Sequence, residues 1–244
     1  MKNKRIIIVG DSVTYGHGCL DRVFYFDPIS KKKFGEHFLN APPSQYCWAS
    51  LLAQRFPNLE IVNLARSGHS NEMMIADLIN YINTDIYDAA LIIFQATYSD
   101  RMAISAGPEA IRSWGLSWDP AFSTFEDKNI LDAKKKYVQF LYNETIGVNR
   151  TKTALLAAYS VANLVNSKFV FSLPLSDTSV GRKIYNRLIS NQITSLHTID
   201  YSGKWDVKIN NTFLAPDYHP NEAGHEYYLN NHIIPLLTQL KIID

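Results

Sequence analysis

The sequence predicts a three-layer α/β/α fold built on a parallel sheet of about five strands. Three observations carry this. Short apolar runs recur along the chain, each bounded by turn residues. Segments with helical apolar spacing separate them. The first run, Ile6-Ile7-Ile8-Val9, is apolar without alternation and ends at Gly10, as a strand covered on both faces should.

The elements follow in order. After the strand at 6–9, residues 46–56 place Trp48, Leu51, Leu52 and Phe56 on one helical face, and Pro57-Asn58 stops the helix. Residues 59–64 read as a second strand. Ser70 can cap a helix in which Ile75, Leu78, Ile79 and Ile82 follow the i, i+3, i+4, i+7 rule. Residues 89–94 form a third strand and 168–173 (KFVFSL) a fourth, with two helices expected between them near 131–145 and 151–165. A short fifth strand is expected at 198–201, and a last helix after Pro220-Asn221, kinked or ended near Pro235. Strand–helix alternation of this kind gives a parallel sheet with helices on both faces, and sites form beyond the carboxyl ends of its strands. Residues 1–244 are expected to form a single domain. Two stretches near 20–45 and 100–130 break the alternation and read as insertions, since loops of that length are usually lids or binding loops.

Composition narrows the function. At 46% hydrophobic and 12% aromatic, 244 residues can bury a sizeable core, which excludes a disordered chain. With 24 basic and 23 acidic residues the formal charge is +1, so no basic footprint for nucleic acid or an anionic membrane is expected. The apolar stretch after Lys4-Arg5 stops at Gly10-Asp11-Ser12, too short for a signal peptide, and no stretch has the length of about 20 residues that a membrane span requires. A cytoplasmic location is expected. Cys19 and Cys47 make no disulfide framework, and His17, His37, His197, His225 and His232 show no zinc-ligand spacing. Neither metal nor organic cofactor is expected.

Three segments can carry chemistry. Gly10-Asp11-Ser12 puts a serine on a tight turn directly after the first strand, although Ser12 can equally be a helix cap. Asn63-Leu64-Ala65-Arg66-Ser67-Gly68-His69-Ser70-Asn71 follows the second strand, and a glycine there lets a backbone N–H approach an oxyanion. Asp217-Tyr218-His219-Pro220-Asn221 offers a base and an orienting carboxylate in the last loop. Gly16-His17-Gly18 hints at a phosphate loop, but it lacks the third glycine of a dinucleotide motif and no Gly-Lys-Ser/Thr follows.

Taken together and in this order, the three segments resemble the blocks of the SGNH/GDSL hydrolase family. Gly10-Asp11-Ser12 resembles its first block, Asn63 to Gly68 its second, and Asp217 with His219-Pro220-Asn221 its last. The resemblance implies a flavodoxin-like three-layer fold and an acyl-enzyme mechanism. In that mechanism Ser12 is the nucleophile, His219 the general base and Asp217 the residue orienting it, with the backbone N–H groups of Ser12 and Gly68 as oxyanion donors. It implies esterase, lipase, thioesterase, deacetylase or acyltransferase activity, and a carbohydrate O-acetyl ester is the expected substrate; Trp114 and Trp118 read first as packing aromatics, with a sugar-stacking platform as the alternative.

Two departures stand out. The family's third block carries an oxyanion-donating asparagine, whereas here the segment reads Phe94-Gln95-Ala96-Thr97-Tyr98-Ser99-Asp100-Arg101; Thr97, Ser99 or Asn71 are the alternative donors. The last block reads Asp-x-His rather than Asp-x-x-His. Divergent members with Gly-x-Ser-Asn in the second block and a Thr-x-x-x-Arg-like third block are the most similar, matching Gly68 to Asn71 and Thr97 to Arg101. The rival readings are an O-acyltransferase, a non-catalytic carbohydrate-binding relative and a flavodoxin-like nucleotide binder.

Overall fold

The computed structural model describes residues 4–22, 25–27, 32–34, 41–85, 89–97, 101–105, 111–115, 132, 136–137, 139–141, 143–173, 197–200, 213 and 219–244. In chain order the elements are β1 (Lys4–Val9), α1 (Ser12–Tyr15), β2 (Tyr25–Asp27), β3 (Lys32–Phe34), α2 (Trp48–Arg55), β4 (Leu59–Asn63), α3 (Asn71–Asp85), β5 (Leu91–Gln95), β6 (Arg101–Ser105), β7 (Ile111–Gly115), α4 (Glu144–Leu164), β8 (Lys168–Leu173), β9 (His197–Asp200), α5 (Glu222–Tyr228), a π-helical turn (Leu229–Ile233) and α6 (Ile234–Gln239).

Five strands form one parallel sheet in the order β4-β1-β5-β8-β9. With the two hairpins set aside this is the 2-1-3-4-5 order of flavodoxin-like folds, in which the winding reverses between the first and third strands. Ile8 is in register with Asn63 on one side and Ile93 on the other, so β1 is central. Ile6, Ile7, Ile8 and Val9 are fully buried, which explains their unbroken apolar run.

The pleat divides these side chains between two cores. Ile6 and Ile8 face Trp48 and Leu52 of α2 and Leu229, Ile233 and Leu237 of the C-terminal helices. Ile7 and Val9 face Met74 and Leu78 of α3 and Leu155, Ala158 and Ala162 of α4. Fully burying each such aliphatic side chain stabilises by about 1.5–3 kcal/mol, so the sheet is clamped from both faces.

The elements differ from the sequence reading in three places. Of the two helices expected near 131–145 and 151–165, the first is described as helical backbone at 132, 136–137 and 139–140, and the second, α4, starts earlier than expected and runs from 144 to 164, capped by Asn143 Oδ1 accepting from Ile146 N–H at 2.9 Å. The kink expected near Pro235 is a π-helical turn ending immediately before α6; a proline has no N–H to continue the ladder. Within the stretches read as insertions, β2–β3 and β6–β7 are antiparallel hairpins separate from the main sheet. Leu20–Arg22 form a short 3-10 turn and 41–45 lead into α2; residues 23–24, 28–31, 35–40, 106–110 and 116–130, Trp118 among them, lie outside the described residues, and Trp114 sits opposite Met102 in the second hairpin. No helix among the described residues is long and apolar enough to cross a membrane.

Candidate active site

The turn that carries Ser12 begins where β1 ends. Gly10 is required there: a Cβ on it would lie 2.2 Å from Thr14 Oγ1 and 2.5 Å from Thr14 Cβ. Asp11, not Ser12, caps α1, its Oδ1 accepting from Val13 N–H at 3.0 Å. Ser12 is therefore released from capping. Its Oγ lies 3.0 Å from Nε2 of His219, within hydrogen-bond reach.

Three local features hold His219 there. Asn221 caps α5, its Oδ1 accepting from Gly224 N–H at 3.0 Å, which fixes the loop two residues after the histidine. Gly18, at φ +106°, lets the loop approach, since a Cβ on it would meet His219 Cβ at 2.8 Å and Pro220 O at 2.9 Å. The His17 ring packs on the His219 ring with centroids 4.5 Å apart. His17 is itself placed by the αL end of α1, where its N–H donates to Ser12 O at 2.9 Å. Asp217 and Ser99 lie outside the described residues.

The loop after β4 joins the same edge. Arg66 N–H donates to Gly10 O at 3.3 Å, and Ser67 Oγ lies 3.2 Å from His17 Nδ1. Gly68 adopts φ +80° with nothing within 4 Å of a Cβ position. Among the described residues no acceptor takes the backbone N–H of Ser12 or of Gly68.

Asn71 and Thr97 meet each other. Asn71 Oδ1 accepts from Thr97 N–H at 2.9 Å, while its Nδ2 donates to Thr97 O at 3.3 Å and to Thr151 Oγ1 at 3.1 Å. Thr97 Oγ1 donates to Asp11 Oδ2 at 2.7 Å, and Arg101 Nη1 donates to the same oxygen at 3.1 Å. The donors of both side chains are thus directed at protein oxygens. They brace the turn that carries Asp11 and Ser12.

Beneath the site, His225 on α5 is buried and accepts from Trp48 N–H at 3.3 Å. Burial, with a smaller contribution from neighbouring His219, pushes its pKa down to about 3, so it stays neutral. Cys19 and Cys47 are fully buried; burial raises Cys19 to about 12 and raises Cys47 as well. Among the described residues no group of three His, Cys, Asp or Glu side chains is placed to hold a metal ion.

Sequence reasoning missed the roles of His17, Gly18, Asp11 and Arg101. A histidine flanked by two glycines just behind Ser12 was the available signal for the first two. The Thr97 to Arg101 spacing was the signal for the others.

No family model matches the chain, and no curated protein does. Solved structures do. TesA superposes with a TM-score of 0.56 at 13% identity, covering 97% of this chain and 99% of its own. The psychrotrophic esterase EstA from Pseudoalteromonas sp. gives 0.57 at 10% identity, covering 98% and 99%. A member of the lipolytic G-D-S-L family from Veillonella parvula gives 0.54 at 15% identity, covering 95% and 97%. At such low identity these likenesses speak for architecture: the chain has the SGNH/GDSL hydrolase fold.

Proposed function

We propose that this protein is a serine-dependent ester hydrolase acting through an acyl-enzyme. The 3.0 Å approach of His219 Nε2 to Ser12 Oγ carries the reading, because it joins a nucleophile and a base at the sheet edge where such folds bind ligands. Ser12 Oγ attacks the ester carbonyl and His219 Nε2 takes its proton. The oxyanion rests on the N–H groups of Ser12 and Gly68. The carbonyl–alkoxy bond breaks, and the alcohol leaves with the proton from His219. Water, deprotonated by His219, then attacks the acyl-enzyme and releases the acid and free Ser12. Asp217 orients the imidazole through Nδ1.

A small acyl group on a carbohydrate is the substrate class. Support comes from the acetyl xylan esterase Est2A of Butyrivibrio proteoclasticus, similar with a TM-score of 0.59 at 11% identity over all of this chain and 66% of that one. The test is intact-protein mass spectrometry after exposure to a fluorophosphonate. One adduct on the wild type and none on Ser12→Ala is expected; an unlabelled wild type at neutral or mildly basic pH overturns the reading. Hydrolysis of acetylated xylo-oligosaccharides no faster than of aryl acetates would remove the carbohydrate assignment.

A further inference from the structure

Asp11 immediately precedes Ser12 and is only 3% exposed. A carboxylate buried at that point costs several kcal/mol unless it is paired, and its negative charge lies one residue from the oxygen that attacks. The structure gives it three donors. Oδ1 accepts from Val13 N–H at 3.0 Å, which caps α1, and Oδ2 accepts from Thr97 Oγ1 at 2.7 Å and Arg101 Nη1 at 3.1 Å. These partners come from different places. Val13 belongs to the nucleophile turn, Thr97 follows β5, and Arg101 opens the β6–β7 hairpin. Thr97 is fixed from behind by both polar atoms of Asn71, which is tied in turn to Thr151 on α4.

We infer that Arg101 is a positioning residue, acting through Asp11: it cancels the charge of the buried Asp11 carboxylate and fixes that side chain, so that the turn presents Ser12 without an opposing negative charge beside the developing oxyanion. The inference rests on the serine-hydrolase reading above. Two physical arguments support it. A transition state that gathers negative charge is destabilised by a nearby uncompensated anion, most strongly where water is excluded. The same carboxylate holds the N-cap that sets the direction of the Ser12 N–H. Arg101 therefore ties a hairpin outside the main sheet to the electrostatics of the reacting serine, and Thr97 serves as the uncharged half of the clamp.

The experiment is a double-mutant cycle on aryl acetate hydrolysis, with fluorophosphonate labelling followed in parallel. Arg101→Gln should lower kcat and the labelling rate by about 10–100-fold, less than or comparable to losing a direct oxyanion donor, with KM changed by no more than about 2-fold. Arg101→Lys keeps the charge and should regain most of that loss. Asp11→Asn combined with Arg101→Gln removes the charge but keeps a good cap for Val13 N–H, and should be faster than Arg101→Gln alone by about 5-fold or more. An arginine needed only for packing would give no such recovery, so a double variant no faster than the single one overturns the inference. Wild-type labelling and kcat in folded Arg101→Gln overturn it too. If Arg101→Gln fails to fold, Arg101→Lys against the Asp11→Asn/Arg101→Lys pair decides it: the proposal expects no gain from Asp11→Asn when the cation is retained, and a gain of about 5-fold or more there overturns it. An unlabelled wild type is a different result, because it removes the serine-hydrolase reading itself.

Discussion

Nε2 of His219 lies 3.0 Å from Oγ of Ser12 although 207 positions of sequence separate them. The contact is held by short-range devices at both ends. The αL end of α1 places His17 against the His219 ring, and Asn221 caps the helix that follows. A base held by hydrogen-bonded turns on both sides loses little freedom when it reacts, which favours proton transfer in a fixed geometry.

Gly18→Ala should damage catalysis through His219. The added Cβ would sit 2.8 Å from His219 Cβ and 2.9 Å from Pro220 O, at a φ of +106° that alanine adopts only under strain. A displacement approaching 1 Å costs up to about 10²-fold, so kcat should fall by about 10-fold or more. Gly68→Ala is the control for strain alone, since its φ is +80° and its Cβ position is open. Thermal melting should show the smaller loss of Tm for Gly68→Ala. Equal losses would mean that the loop at 219–220 gives way without cost.

Asn71→Ala should act on stability before chemistry. It removes the partners of Thr97 N–H, Thr97 O and Thr151 Oγ1 in a buried setting. Leaving such groups unsatisfied costs about 2–4 kcal/mol in total, visible as a lower urea midpoint. An Asn71 that donated directly to the oxyanion would behave differently, with kcat lowered by about 10²–10³-fold at nearly unchanged stability. Measuring both quantities on one variant separates the two roles.

The sheet was legible because burial on both faces removes alternation: Ile6 to Val9, Leu91 to Phe94 and Phe169 to Phe171 could only be central strands. The pairing of Ser12 with His219 was legible because each sits in a turn that polar and glycine residues mark. The brace around Asp11 was not. Arg101 reaches it from a hairpin whose path depends on tertiary packing, and no local periodicity encodes that. The start of α4 at 144, earlier than the expected 151, has a similar cause. Gly147 weakens helix propensity locally, but burial of Val148, Leu155, Ala158 and Ala162 against the sheet outweighs it.

The two thiols should be inert in the folded protein. Cys19 and Cys47 are fully buried, and burial holds Cys19 near about 12 and raises Cys47 too, so the reactive thiolate is scarce at neutral pH. Ellman's reagent should find no rapidly reacting thiol in native protein and two in denaturant. A fast-reacting native thiol would show that the packing between the α1 turn and α2 opens readily.

Acid should destabilise the fold through His225. Its imidazole is fully buried and neutral, with a pKa lowered from 6.5 to about 3 mainly by burial and secondarily by His219. Below pH 6.5 the unfolded chain binds a proton here that the folded chain refuses until about pH 3. The unfolded state thus holds more protons in that window, so this contribution to stability is complete above 6.5 and is lost as the pH falls. The slope attributable to this group is at most about 1.4 kcal/mol per pH unit. His225→Asn keeps an acceptor for Trp48 N–H and removes the titration, so its urea-unfolding free energy should fall less steeply than that of the wild type between pH 6 and about pH 4. Parallel curves would show that His225 takes up its proton in the folded state as readily as in the unfolded one. The neutrality of His225 matters to the site as well. In the proposed mechanism a charged imidazole there would oppose the proton transfer from Ser12 to His219, so a neutral His225 leaves that step unopposed.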